Sequence, residues 1–209
     1  MRLALLAGAM GLLLGVYAAV AILFTSLFLG FGLEHLADDR RRQNLLTLAL
    51  LLGYELAMRA YYGRHLRRGS MPPEIARYGN ALIEASLPTL AIAYLAGAIG
   101  PVPALLMPPY AAYFVFIVLS TLRLDFWLST FTGAVAGIEY VLLALAYIRQ
   151  PEAAGMARVL VAPTHHAGKA SILIVAGIVA GLVGRELRRQ LVHAIASLEE
   201  RERIFRVLG

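Results

Sequence analysis

Acids and bases set inside long apolar runs are the side chains of this sequence that could do chemistry, because a charge in such a run needs a partner or a task. Glu139 is the sharpest case. No basic residue lies within a helical turn of it, so it must be protonated, paired across helices or bound to a cation. Glu55 and Arg59 stand at i, i+4, acid before base, which suits an ion pair along one helix, facing the bundle. Glu84 could join Arg59 or Arg77, making Glu55, Arg59 and Glu84 a candidate intramembrane polar network. His165 and His166 follow Pro163-Thr164. Neighbouring residues of a helix point in different directions, but in a turn before the helix both imidazoles could reach one metal. The chain has no Cys, so a site would combine His with carboxylate. Glu34, His35, Asp38, Asp39 and Glu139 fall on the same side of the membrane. The candidate metal set is His165, His166, Glu139 and His35, for a divalent ion on the extracytoplasmic side. The alternative is that Thr164 caps the helix and the two imidazoles are solvated at the interface.

Motifs of catalysis are absent. The sequence has no Gly-rich phosphate loop, no nucleophile elbow and no HExxH. The acids on the cytoplasmic side are too few and too scattered for a nucleotide-metal site. No catalytic residue is therefore expected in this chain.

The elements that would position these residues are membrane helices. The chain of 209 residues is 60% hydrophobic and 15% charged, with a mean hydropathy of +0.72. A soluble domain carries fewer apolar and more charged residues. The net charge of +6 does not signal nucleic acid here. The basic residues cluster beside apolar runs, where they set topology and touch anionic lipid. The first apolar run, to Gly32, is about twice as long as a signal-peptide core, so it is expected to stay as a helix. Six spans are predicted, near residues 3–31, 44–62, 79–99, 110–122, 126–148 and 165–183. Pro72-Pro73 is a breaker between the second and third. Gly100-Pro101-Val102-Pro103 and Pro108-Pro109 read as a short apolar connection. Tyr61, Tyr62, Tyr110, Tyr113, Trp127 and Tyr147 fall near span ends, as an aromatic belt would. Arg2, Arg64, Arg67, Arg68, Arg77, Arg123, Arg185, Arg188 and Arg189 gather on one side. Arg40, Arg41, Arg42, Arg149, Arg158 and Lys169 lie on the other. The richer side is cytoplasmic by the positive-inside rule, which puts both termini there. The expectation is an all-α, multi-pass membrane protein with six transmembrane helices.

The last helix changes character along its length. Residues 170–183 are apolar all round. From Gly184 the sequence becomes charged and amphipathic without a break. Leu187, Leu191, Ala194, Leu198, Arg201, Phe205 and Leu208 follow alternating four- and three-residue steps, an imperfect coiled-coil seam. Gly177 and Gly181 form a GxxxG pair, which favours a close helix contact. The division expected is a transmembrane domain over 1–184 and a cytoplasmic transducer helix over 185–209. The helix then has nothing to act on, so a longer protein with an effector domain after Gly209 is expected.

Two segments carry a resemblance. Leu119-Ser120-Thr121-Leu122-Arg123-Leu124-Asp125-Phe126, followed by Phe131-Thr132-Gly133-Ala134-Val135-Ala136 and Glu139-Tyr140, resembles the six-helix membrane region of bacterial class III adenylate cyclases. Glu199-Glu200-Arg201-Glu202-Arg203-Ile204-Phe205-Arg206-Val207-Leu208-Gly209 is similar to the transducer helix that precedes their catalytic domain. The resemblance implies a homodimer whose transducer helices pair through Leu187, Leu191, Ala194, Leu198 and Phe205. It also implies membrane lipids around the bundle, a cyclase domain in cis, and an unidentified ligand sensed by the membrane region. An extracytoplasmic cation site on His165, His166 and Glu139 would fit that pattern. Three other functions fit parts of the sequence. A small transporter or channel would use Glu55, Glu84 and Glu139. The membrane sensor of a histidine kinase or diguanylate cyclase would share the architecture. A bis-histidine haem anchor would use His165 and His166.

Overall fold

A computed structural model gives the architecture. It describes residue 49, residues 53–70 other than 55, 59 and 66, and residues 72–107, 109–151 and 157–208; at 98, 199 and 201–208 it describes the backbone alone. His35, Glu55, Arg59 and the whole first expected span lie outside these residues, as does much of the second. Among the described residues all regular structure is helical. The chain divides into two compact units, Met1–Asn80 and Ala81–Gly209.

In the first unit, helical residues between 53 and 67 run into a turn. Gly69 takes a left-handed φ of 66° there, open to glycine at little steric cost. The Ser70 amide donates to the His65 carbonyl at 3.0 Å. The Tyr54 hydroxyl donates to Asn80 Oδ1 at 2.6 Å. After Pro72-Pro73, helix α1 runs over Glu74–Ile99, and its residues from Ala81 onward belong to the second unit. The helix starts earlier than expected because Pro73 supplies a carbonyl to the amides of Ala76 and Arg77, so the proline acts as a starter as well as a breaker.

In the second unit, Gly100 at φ 95° turns the chain into a single helical turn, α2, Pro101–Ala104. The prolines expected to form only a connection suit this turn, since its first residues have no helical acceptor to meet. Helix α3, Pro109–Ser120, tightens into a 3-10 turn at Thr121–Arg123. Leu124 then takes a left-handed φ of 54°. Asp125 caps helix α4, Phe126–Ile148, accepting from the amides of Trp127 and Leu128. Such a cap satisfies amides that have no partner inside the helix. Helix α5 is one unbroken helix over Pro163–Leu208, with no interruption at the expected boundary after residue 184.

Three helical stretches among the described residues are long and apolar enough to cross a membrane: Pro101–Arg123, Phe126–Ile148 and Pro163–Leu198. They correspond to the last three expected spans; the third expected span, within α1, is not among them, so the described residues support three of the six expected crossings.

Helices α4 and α5 run antiparallel along a track of glycines. A Cβ on Gly133 would stand 2.5 Å from the Gly177 Cα, and one on Gly177 would stand 2.6 Å from the Gly133 Cα. Further along, Gly137 lies against the Ala170 carbonyl and Gly181 against the Phe126 carbonyl. Backbones this close gain dispersion contact that larger side chains would prevent. The expected Gly177/Gly181 contact is thus made, and its partner helix carries its own Gly133/Gly137 pair. Ile92, Leu105, Tyr113, Ile117, Tyr140 and Leu173 fill the core. Ile138 and Leu142 of α4, with Ile172, Val175 and Val179 of α5, are exposed. An outward apolar face of this kind suits lipid.

Candidate functional site

Two chains of buried and half-buried polar groups meet in the second unit. The first surrounds Glu139, placed by α4 opposite Ser86 and Thr89 of α1. Ser86 Oγ is 2.5 Å from one carboxyl oxygen, and Thr89 Oγ1 bonds the other. Thr89 Oγ1 also meets the Tyr113 hydroxyl at 2.7 Å. Ser86 donates back to the Leu82 carbonyl at 2.8 Å. Ser86 has one hydrogen to share between the Leu82 carbonyl and Glu139, and when Thr89 donates to Glu139 the Tyr113 hydroxyl donates to Thr89. Of the three states open to Glu139 in the sequence, the geometry is that of partnership across helices.

The second chain surrounds His166, which is fully buried. Nε2 lies 2.8 Å from the Leu160 carbonyl, which can only accept, so Nε2 carries the hydrogen. Nδ1 is 2.9 Å from the Tyr140 hydroxyl, and in the neutral ring it accepts from that hydroxyl. His166 therefore ties the segment before α5 to the side of α4. Tyr110 adds a second tie, its hydroxyl donating to the Lys169 carbonyl at 3.2 Å. The Lys169 ammonium stands 4.9 Å over the Tyr110 ring. Tyr110, Tyr113 and Tyr140 make edge and tilted ring contacts, linking the Glu139 and His166 chains. Tyr113 is fully buried, so it belongs to the core rather than to an aromatic belt.

The expected metal set is not assembled. Both ring nitrogens of His166 already hold protein partners, Glu139 is turned to Ser86 and Thr89, and His165 is exposed. His35 lies outside the described residues. Among the described residues no three His, Asp or Glu side chains are placed to hold one ion. The two imidazoles do not share the solvated alternative either, since only His165 is exposed. Thr164 lies inside the helix, which Pro163 begins, and the Ala162 carbonyl accepts from the His165 amide at 3.0 Å.

Glu84 is buried and forms an ion pair with Arg123, which brings the end of the 3-10 turn onto α1. Its expected network partners Glu55 and Arg59 lie outside the described residues. The half-buried Arg123 guanidinium offsets part of the cost of burying the Glu84 carboxyl. On α5, Leu187 and Leu198 are exposed and Leu191 is half-buried. Ala194 is exposed. Phe205 lies on helical backbone, with its side chain outside the described set.

Ser86, Thr89 and the Leu160 carbonyl escape sequence reasoning, and Tyr140 and Lys169 enter it only through the resemblance and the charge count. Single hydroxyls in an apolar helix are common and carry no motif. The one usable signal is the demand of Glu139 for a partner. Compared with known protein families, curated proteins and solved structures, the chain matches none.

Proposed function

We propose that this chain is the anchoring, dimerising and sensory membrane domain of a class III adenylate cyclase in a bacterial inner membrane. In this proposal it crosses six times, with both termini cytoplasmic. A small ligand near the Tyr140–His166 end favours one of two packings of the bundle. Helix α5 then carries the change to a catalytic domain that follows it. Such control works only if the ligand binds the two packings unequally.

One observation carries this function. Helix α5 is a single helix of 46 residues, packed along α4 by glycines in its first half and exposing Leu187 and Leu198 in its second. An exposed leucine seam on a helix leaving a membrane suits pairing with a second copy. A transporter would have its acids line a path, whereas Glu84 and Glu139 are engaged by Arg123, Ser86 and Thr89.

The chain has no native cysteine, so single cysteines at 187, 191, 194 and 198 can be oxidised in membranes. Cross-linked dimers are expected at these positions and not at 188 or 192. Dimers at none of them, or equally at all six, would overturn the seam. A class III catalytic domain joined after Gly209 is expected to make cyclic AMP, and less of it with Leu187→Ser and Leu191→Ser. Unchanged output would remove the cyclase assignment.

A further inference from the structure

We propose that the exit point of α5 is a binding site for anionic phospholipid headgroups, formed by Arg185, Arg188 and Arg189 beside Trp127. The glycine track sets the level. Gly181 lies against the Phe126 carbonyl and Gly184 against the Thr121 carbonyl. The start of α4 and the end of the apolar part of α5 are therefore at one height. Arg185 places its guanidinium 5.5 Å from the centre of the Phe126 ring, and that ring touches the Trp127 indole at 5.1 Å. Trp127 is 69% exposed although it opens an apolar helix. An exposed indole at a helix end belongs at the headgroup level, where its ring is apolar and its N–H is wet.

Arg188 and Arg189 are exposed and follow Arg185 at i+3 and i+4, so the three guanidinium groups share one flank. At about 100° per residue, that flank points nearly opposite to Leu187, Leu191, Ala194 and Leu198. A partner helix on the leucine side leaves the arginines open to lipid. Glu186 touches Arg189 at 3.8 Å across an exposed pair, a contact too weak to occupy it. Guanidinium groups bind phosphate with two parallel donors, and an anionic headgroup adds the net charge that a zwitterionic one lacks.

This inference rests on the membrane placement, and not on the dimer or the cyclase. Trp127 is the only tryptophan of the chain, so its emission reports the site directly. The full chain is placed in phosphatidylcholine vesicles holding equal fractions of either phosphatidylglycerol or phosphatidylcholine with acyl chains brominated near the headgroup. Brominated phosphatidylglycerol is expected to quench Trp127 at least about threefold more effectively. Added salt should shrink the preference. The triple change of Arg185, Arg188 and Arg189 to Gln should abolish it. The triple change to Lys should keep part of it, and guards against misfolding as the cause. Equal quenching by the two lipids, or a preference unmoved by the Gln changes, overturns the headgroup site. No quenching by either lipid overturns the membrane placement itself.

Discussion

Replacing Glu139 with Gln keeps an acceptor and supplies a donor in nearly the same shape, so Ser86 and Thr89 can keep their bonds. Replacing it with Ala leaves both hydroxyls facing a gap. The expected cost of Glu139→Ala is about 1–2 kcal/mol, against less than about 0.5 kcal/mol for Glu139→Gln. Reversible unfolding in mixed micelles measures both. If the two cost the same, the bonds to Ser86 and Thr89 contribute nothing to stability. The need of Glu139 for company is legible in the sequence, but the identity of that company is not. Ser86 lies 53 positions away, and a hydroxyl gives no charge to look for. The same holds for Glu84. Its expected bases are Arg59 and Arg77, yet Arg123 pairs with it from 39 positions away. Only the 3-10 turn, which falls at the end of the expected fourth span, brings that guanidinium to α1.

At the scale of elements, the α4–α5 contact stands on the absence of side chains. A methyl on Gly177 would need the Gly133 backbone to move, because backbone cannot rotate aside as a side chain can. Gly177→Leu is expected to cost about 3 kcal/mol, at the upper end of overpacking. The exposed Gly168, which has nothing within 4 Å, should accept Ala with no measurable loss. Thermal denaturation of the two variants checks the contrast. The bounds of helix α4 are legible beforehand, since the apolar run 126–148 coincides with the helix, whereas the cap at Asp125 emerges only from the structure. The continuity of α5 is legible too, since no proline or loop-forming cluster interrupts it. The turn α2 is not, because Pro101 and Pro103 mark breaks equally well. Nor is the glycine pair on α4, whose meaning depends on a second pair 44 residues later.

For the whole molecule, the proposed topology makes a directional prediction. A cysteine at Val159, 67% exposed, should react with an impermeant thiol reagent in intact cells. A cysteine at Ser197 should react only after the membrane is opened. The reverse pattern would invert the orientation, and equal labelling would deny a barrier between them. Orientation comes from counting arginines, a bulk property, whereas the polar ties come from folding. Those ties share a place: Tyr140 and Leu160 grip α5 at His166, and Tyr110 grips it at Lys169, close to one end. From His166 to Leu208 the helix extends about 60 Å at 1.5 Å per residue. Along the glycines α4 and the 3-10 turn before it hold the helix closely as far as Gly184, with Ile174 seated over Gly137 and Phe126 beside Gly181. The stretch beyond Gly184, about 36 Å at 1.5 Å per residue, is the free arm, so a tilt of about 3° would carry its tip about 2 Å. Small rearrangements around a buried imidazole would then be readable where no part of the clamp can reach.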